Sequence, residues 1–155
     1  MDEFKQEIVS DKFLGTFDSK AQLLNQEKDR IVVYKNDINT DLEFVQYDNN
    51  SSQSIFNEEY LNVKDKYSYF LNGNNSKVVV KTKVKNDKRL LIVKDSYAHI
   101  MAQFFCQNYE EIHFIDPRYY RKSISQYVKE NNITECLFLY NVSNLVDDVG
   151  IRSVK

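Results

Sequence analysis

Arg89-Leu90-Leu91-Ile92-Val93-Lys94-Asp95-Ser96 is the stretch that decides the fold. Four consecutive apolar residues form a short continuous run, as expected of a strand buried on both faces of a parallel sheet. Lys94-Asp95-Ser96 breaks the run, and Ile100, Met101, Phe104, Phe105 and Asn108 then recur at helical spacing. That pattern predicts an apolar stripe on a helix over residues 97–108. Ile112-His113-Phe114-Ile115 reads as a second strand, ended by Asp116-Pro117. Ile124, Tyr127 and Val128 mark a second helix, and Cys136-Leu137-Phe138-Leu139-Tyr140 a third strand. Alternating strands and helices predict right-handed crossovers in a parallel sheet. Residues 89–94, 112–115 and 136–140 should then be adjacent parallel strands, with Ser96 and Arg118 at one edge.

Toward the N-terminus the pattern is less regular. Ile31 to Tyr34 and Leu42 to Tyr47 read as strands separated by a polar turn, and the second alternates cleanly. Phe56, Tyr60 and Leu61 suggest a short helix or a docked segment. Lys77 to Val84 reads as an edge strand guarded by charge. The expectation is one α/β domain over residues 1–155, with an irregular, β-containing N-terminal part. Residues 1–60 form a peripheral layer in this reading, and residues 77–149 a parallel α/β core.

Composition bounds the function. The chain has 155 residues, 42% hydrophobic and 28% charged, with a net charge of −2. Those values suit one globular domain and carry no electrostatic footprint for nucleic acid. The opening Met1 to Glu7 is too polar and acidic for a signal peptide, and no apolar run reaches membrane length. The chain as written thus shows no export signal. Cys106 on a helix and Cys136 on a strand read as two buried thiols. Two histidines and no Cys-x-x-Cys argue against a metal site. Three glycines leave no phosphate-cradling loop, which argues against a flavin or phosphate binder; the serine chemistry considered below requires no organic cofactor.

In an open parallel sheet, sites form beyond the carboxyl ends of the strands. Ser96 sits where a buried strand turns into a helix, close to the free N–H groups of a first helical turn. Those donors suit an oxyanion, yet Asp and Ser also cap many ordinary helices. Both readings stand at this point. Asn72-Gly73-Asn74-Asn75 offers Asn74, then Asn75, as an amide donor, and equally reads as a tight turn. His99 lies three residues after Ser96 on the same predicted helix, as a base or as a packed or solvent-facing ring. His113, inside a strand, reads as a core histidine. Arg118 suits bidentate binding of a carboxylate or of sugar hydroxyls, or pairs with Asp116 or Asp95. Tyr97, Tyr119 and Tyr120 stack on sugar rings or lid the core.

The run from Arg89 to His99 resembles the nucleophile segment of the DHHW family, a bacterial branch of the SGNH (GDSL-like) hydrolases and acyltransferases. Asp65 to Asn74, Tyr109 to Tyr120 and Phe13 to Phe17 extend the resemblance over almost the whole chain. It implies a flavodoxin-like, three-layer fold with Ser96 as nucleophile. The Asn72 to Asn75 turn also resembles the block whose Asn donates to the oxyanion hole, so in this reading Asn74 and the Ser96 N–H are the oxyanion donors, with Arg118, Tyr97 and Asp116 as candidates at the substrate. The implied activity is a serine esterase or O-acyltransferase on cell-surface carbohydrate or an acylated small molecule, outside the cytoplasm.

Two departures stand out. The family's Asp-His-His-Trp motif, which would supply the general base, is absent, and Lys94 replaces the Gly of the usual Gly-Asp-Ser block. The expected chain is therefore the C-terminal part of a larger SGNH-like catalytic domain, incomplete or inactive as given. It would need a missing upstream segment, or would self-associate into a homo-oligomer through the apolar surface left bare. The alternative is a non-catalytic flavodoxin-like module that binds glycan or a protein partner.

Overall fold

A computed structural model describes residues 3–15 and 28–147 of the chain. Thr16 and Phe17 of the stretch from Phe13 lie outside the described residues. The long apolar run forms β6 (Arg89–Lys94), and the neighbouring runs form β7 (Glu111–Ile115) and β8 (Glu135–Leu139). β6 pairs parallel with both, Leu91 standing opposite His113 on one side and Cys136 on the other. The expected parallel trio is present, and Ser96 and Arg118 follow the carboxyl ends of adjacent strands.

The sheet as a whole is mixed and has six strands in the order β4-β3-β5-β7-β6-β8. β5 (Lys77–Lys81) runs antiparallel to β7, and β3 (Phe44–Gln46) antiparallel to β5, with β4 (Ser51–Ser52) outermost. Two expectations are corrected here. The sheet is not all-parallel, and β5 is an interior strand. Its lysines sit at the strand ends on one face, Lys81 facing Glu43 at 3.5 Å. Val78 and Val80 are fully buried on the other face, so the charges that suggested an edge flank a buried middle.

The larger core packs Ile92, Ile112, Phe114, Val80 and Val45 against Tyr69, Phe70, Ala102 and Cys106. Over this face lies the helical stretch after Ser96, a 3-10 segment (Ser96–Met101) continuing into an α-helical turn (Ala102–Phe105). The predicted helix is therefore shorter and tighter, and its stripe is displaced. Ala98, His99, Ala102, Gln103 and Cys106 are buried, whereas Ile100, Met101, Phe104 and Phe105 are half-buried. A hairpin of β1 (Lys5–Phe13) and β2 (Asp29–Lys35) docks on the same side and forms its own two-stranded sheet. Between β2 and β3 the polar stretch makes a single helical turn, Asp37–Thr40, closed by a reciprocal capping box between Asn36 and Asn39.

The opposite face holds a smaller core of Leu91, Val93 and Ile115 under Ile124 and Tyr127 of the helix Ile124–Glu130. At the β8 edge this cover runs out. Cys136 is exposed, not buried as expected, and Phe138 is 54% exposed. Cys106 is buried, and burial pushes its thiol up to about 12. Among the described residues no helix is long and apolar enough to cross a membrane.

Candidate functional site

The carboxyl ends of β6 and β7 carry a buried charge cluster. Lys94 closes β6 with its side chain 1% exposed, and Asp95 and Asp116 are both fully buried. Burying an ammonium demands a partner. The Lys94 Nζ donates to His99 Nε2 at 2.8 Å and lies 3.7 Å from Asp116 Oδ2. Burial pulls the Lys94 ammonium down to about 8, with the Asp116 carboxylate opposing the shift. Asp116 in turn takes a two-pronged bond from Arg118, with Nε at 2.9 Å and Nη2 at 2.6 Å. That pairing holds the guanidinium above its ordinary range. Pairing of Arg118 with Asp116, one of the readings the sequence leaves open, is present.

Asp95 works on the other side of the strand end. Its Oδ1 accepts from the Tyr97 N–H at 2.9 Å, a cap on the helical segment. Its Oδ2 accepts from the Asn141 N–H at 2.9 Å and from Asn144 Nδ2 at 2.7 Å. One carboxylate thus ties the turn after β6 to the start of the helix Val142–Asp147. Ser96 is half-exposed, and no described residue hydrogen-bonds its hydroxyl. With Asp95 doing the capping, the Ser96 Oγ stays available at the strand end.

The histidines answer differently. His99 is 1% exposed and accepts from Lys94, so its proton resides on Nδ1, which finds no partner among the described residues. Burial first, and the Lys94 and Arg118 cations next, push its pKa down to about 2. The Tyr67 ring stacks on it, centroids 6.1 Å apart, and the Tyr67 hydroxyl donates to the Tyr97 carbonyl at 3.2 Å. His113 is buried with Nδ1 2.7 Å from the Tyr127 hydroxyl and Nε2 3.3 Å from Glu111. Its pKa is lowered, burial outweighing the Glu111 carboxylate. Both rings are thus buried and engaged, His99 by Lys94 and His113 by Tyr127 and Glu111.

Asn74 stands at the same end of the sheet, because β5 begins beside the carboxyl end of β7 and the Asp116 N–H donates to the Ser76 carbonyl at 3.0 Å. The turn reading holds for its neighbours. Leu71, Asn72 and Gly73 all have positive φ, and Asn75 Nδ2 donates to the carbonyls of all three at 3.2–3.3 Å. Asn72 accepts from Asn57. Asn75 is thereby engaged, whereas Asn74 is exposed. Tyr97 is 50% and Tyr119 49% exposed, so both present rings to solvent at this edge.

Lys94 matters more to the cluster than its place as a glycine replacement suggests. Its signal was a lone lysine closing a fully apolar run beside an aspartate. Asn141 is marked by the sequence only as the end of the third strand, and Asn144 by nothing, since no spacing links either to Asp95. Among the described residues no group of three or more His, Cys, Asp or Glu side chains is placed to hold a metal.

No protein-family model matches the chain, and no curated protein does. Solved structures do. A DHHW family protein from Eubacterium siraeum superposes with a TM-score of 0.80 at 25% identity, over 98% of this chain and 52% of that one. PatB1 of Bacillus cereus gives 0.76 at 21% identity, over 92% of this chain and 50% of its own. PatB1 with a sulfonyl adduct gives 0.74 at 20%, over 92% and 48%. The chain spans about half the length of these solved relatives.

Proposed function

We propose that this chain is the nucleophile-bearing part of an SGNH-like serine esterase or O-acyltransferase acting on carbohydrate outside the cytoplasm or at the cell surface. The observation that carries the reading is Ser96 itself. It stands just beyond the end of the strand flanked by two parallel neighbours, its hydroxyl unengaged while Asp95 does the capping. The likeness to a DHHW family protein supports it, as does the sulfonyl adduct on PatB1, since sulfonyl electrophiles react with nucleophilic side chains. Helical segments on both faces of the sheet agree with a flavodoxin-like, three-layer arrangement.

In this reading a base takes the Ser96 proton and Oγ attacks the acyl carbonyl carbon. The oxyanion receives hydrogen bonds from the Ser96 N–H and Asn74. Collapse expels the sugar oxygen, which takes up a proton, and leaves an ester on Ser96. Water or a second hydroxyl then accepts the acyl group and frees the serine. Arg118, held by Asp116, and Tyr97 orient the substrate. The base lies outside these residues, because His99 and His113 are buried and engaged. An Asp-His pair from another segment of the protein fills that role.

The second reading, a non-catalytic module that binds glycan or a protein partner, is favoured by those same two histidines. Labelling with a fluorophosphonate separates the two. The 155-residue chain should label slowly at Ser96, and adding a segment with the Asp-His pair should raise labelling and acetyl-ester hydrolysis by orders of magnitude. Ser96→Ala should abolish the gain. No gain on supplying the pair selects the binding module.

A further inference from the structure

Beyond β7, on the side away from β8, the same end of the sheet carries a groove of about 410 Å³. Tyr47, Lys77, Tyr119, Tyr120, Arg121 and Lys122 line it. The groove is built from the ends of β3, β5 and β7, so its position follows from the antiparallel entry of β5. Asp48 at its floor is already satisfied, accepting from the Ser76 N–H at 2.6 Å, the Ser76 hydroxyl at 2.7 Å and the Lys77 N–H at 3.2 Å. The three cations are not. Among the described residues none of Lys77, Arg121 and Lys122 is in a salt bridge, and the Lys77 ammonium lies over the Tyr127 ring, 5.8 Å from its centroid. The Arg118 guanidinium covers one side of the Tyr119 ring at 5.5 Å, leaving that residue half-exposed beside the groove.

We infer that this groove binds an anionic saccharide, a chain bearing carboxylates, with Arg121, Lys122 and Lys77 reading its charge and Tyr119 and Tyr120 contacting its rings. An exposed aromatic beside unpaired cations suits a ligand with both an apolar ring face and a negative charge. The geometry also sets a length. β3 stands three strands from β6, about 14 Å at the usual strand spacing, so the groove lies a few sugar units from Ser96. This rests on the carbohydrate reading of the Ser96 site and names the charge class of its substrate.

The test is a calorimetric titration of the 155-residue chain carrying Ser96→Ala, so that loss of serine chemistry cannot mimic loss of binding. Trigalacturonate should bind, and its methyl ester, which lacks the charge, should bind at least tenfold more weakly. Arg121→Ala with Lys122→Ala should weaken trigalacturonate at least tenfold, and the charge-keeping Arg121→Lys with Lys122→Arg should largely restore it. Tyr119→Ala should weaken both ligands. Equal affinity for acid and ester, no binding of either, or indifference to the double substitution overturns the inference. So does an oligothymidylate of matched charge binding as tightly, since the groove would then read charge without the sugar. Fluorophosphonate labelling of unmutated Ser96 fails or succeeds independently of all these arms.

Discussion

β6 and β8 look alike in sequence and end in opposite situations. Leu90-Leu91-Ile92-Val93 and Leu137-Phe138-Leu139-Tyr140 are both short, apolar and followed by polar residues. In the fold, residues 90–93 are at most 3% exposed, whereas Phe138 is 54% exposed and Cys136 is exposed. β6 has a strand on each side and cover on both faces. β8 has β6 on one side only among the described residues, and its Cys136–Phe138 face extends past the helix that covers Leu91 and Val93. An apolar run thus reports that a strand belongs to a sheet, and its neighbours decide whether it is interior.

The largest test of that contrast is a truncation in the interior strand. Ile92→Ala removes a side chain with no exposure from the larger core. It should cost about 3–4 kcal/mol, combining lost transfer energy with the cavity left behind. Urea unfolding of the variant measures it. A loss below about 1 kcal/mol would mean that β6 is no more central than β8.

Acid sharpens the contrast at the strand ends. His99 has a folded pKa of about 2 against 6.5 unfolded. A base held neutral in the fold binds its proton only on unfolding, so stability present above pH 6.5 is lost as pH falls toward 2. The slope is about 1.4 kcal/mol per pH unit for one such group, or about 2–3 kcal/mol between pH 6.5 and 4.5. His113, lowered as well, adds in the same direction. The pH dependence of the urea midpoint reads the slope, and His99→Gln should reduce it by about one proton. An unchanged slope would place the acid sensitivity elsewhere.

How far the sequence reached follows from the same physics. The strand trio and the shared edge of Ser96 and Arg118 were legible because fully buried strands need continuous apolar residues. β1 was not, since its pattern Lys5–Phe13 is mostly exposed and is ordered by pairing with β2 and by Val9 and Phe13 against the core. The direction of β5 was hidden because alternation gives no polarity to a strand. At the site, Ser96 and Arg118 were legible from strand ends. The engagement of His99 was hidden, because it depends on a lysine five residues earlier turning inward.

A smaller effect attends the turn that places Asn74. Gly73 has φ +74, and a Cβ there would meet Ser68 Oγ at 2.9 Å. Gly73→Ala should cost about 1–2 kcal/mol from left-handed strain and contact, against almost nothing for Asn74→Ala, whose side chain is exposed. Thermal unfolding of the pair compares them, and equal costs would remove the distinction between a turn glycine and a free amide.

The smallest expected change in stability lies on β8. Phe138→Ser exchanges a ring more than half exposed, so the unfolding free energy should move by no more than about 0.5 kcal/mol. Its effect should appear in association instead. The helix Val142–Asp147 follows β8 directly, and in it Val142 and Val146 are 75% and 79% exposed and Leu145 is 44% exposed. A strand edge without a further partner among the described residues, beside exposed apolar side chains, invites pairing with another copy. Sedimentation of the unmutated chain should show concentration-dependent self-association, and Phe138→Ser should reduce it while Ile92→Ala, if folded, should not. A stable monomer across the concentration range would mean that the bare edge of β8 is tolerated in water. The contrast between the two strands would then be one of burial alone, without consequence for assembly.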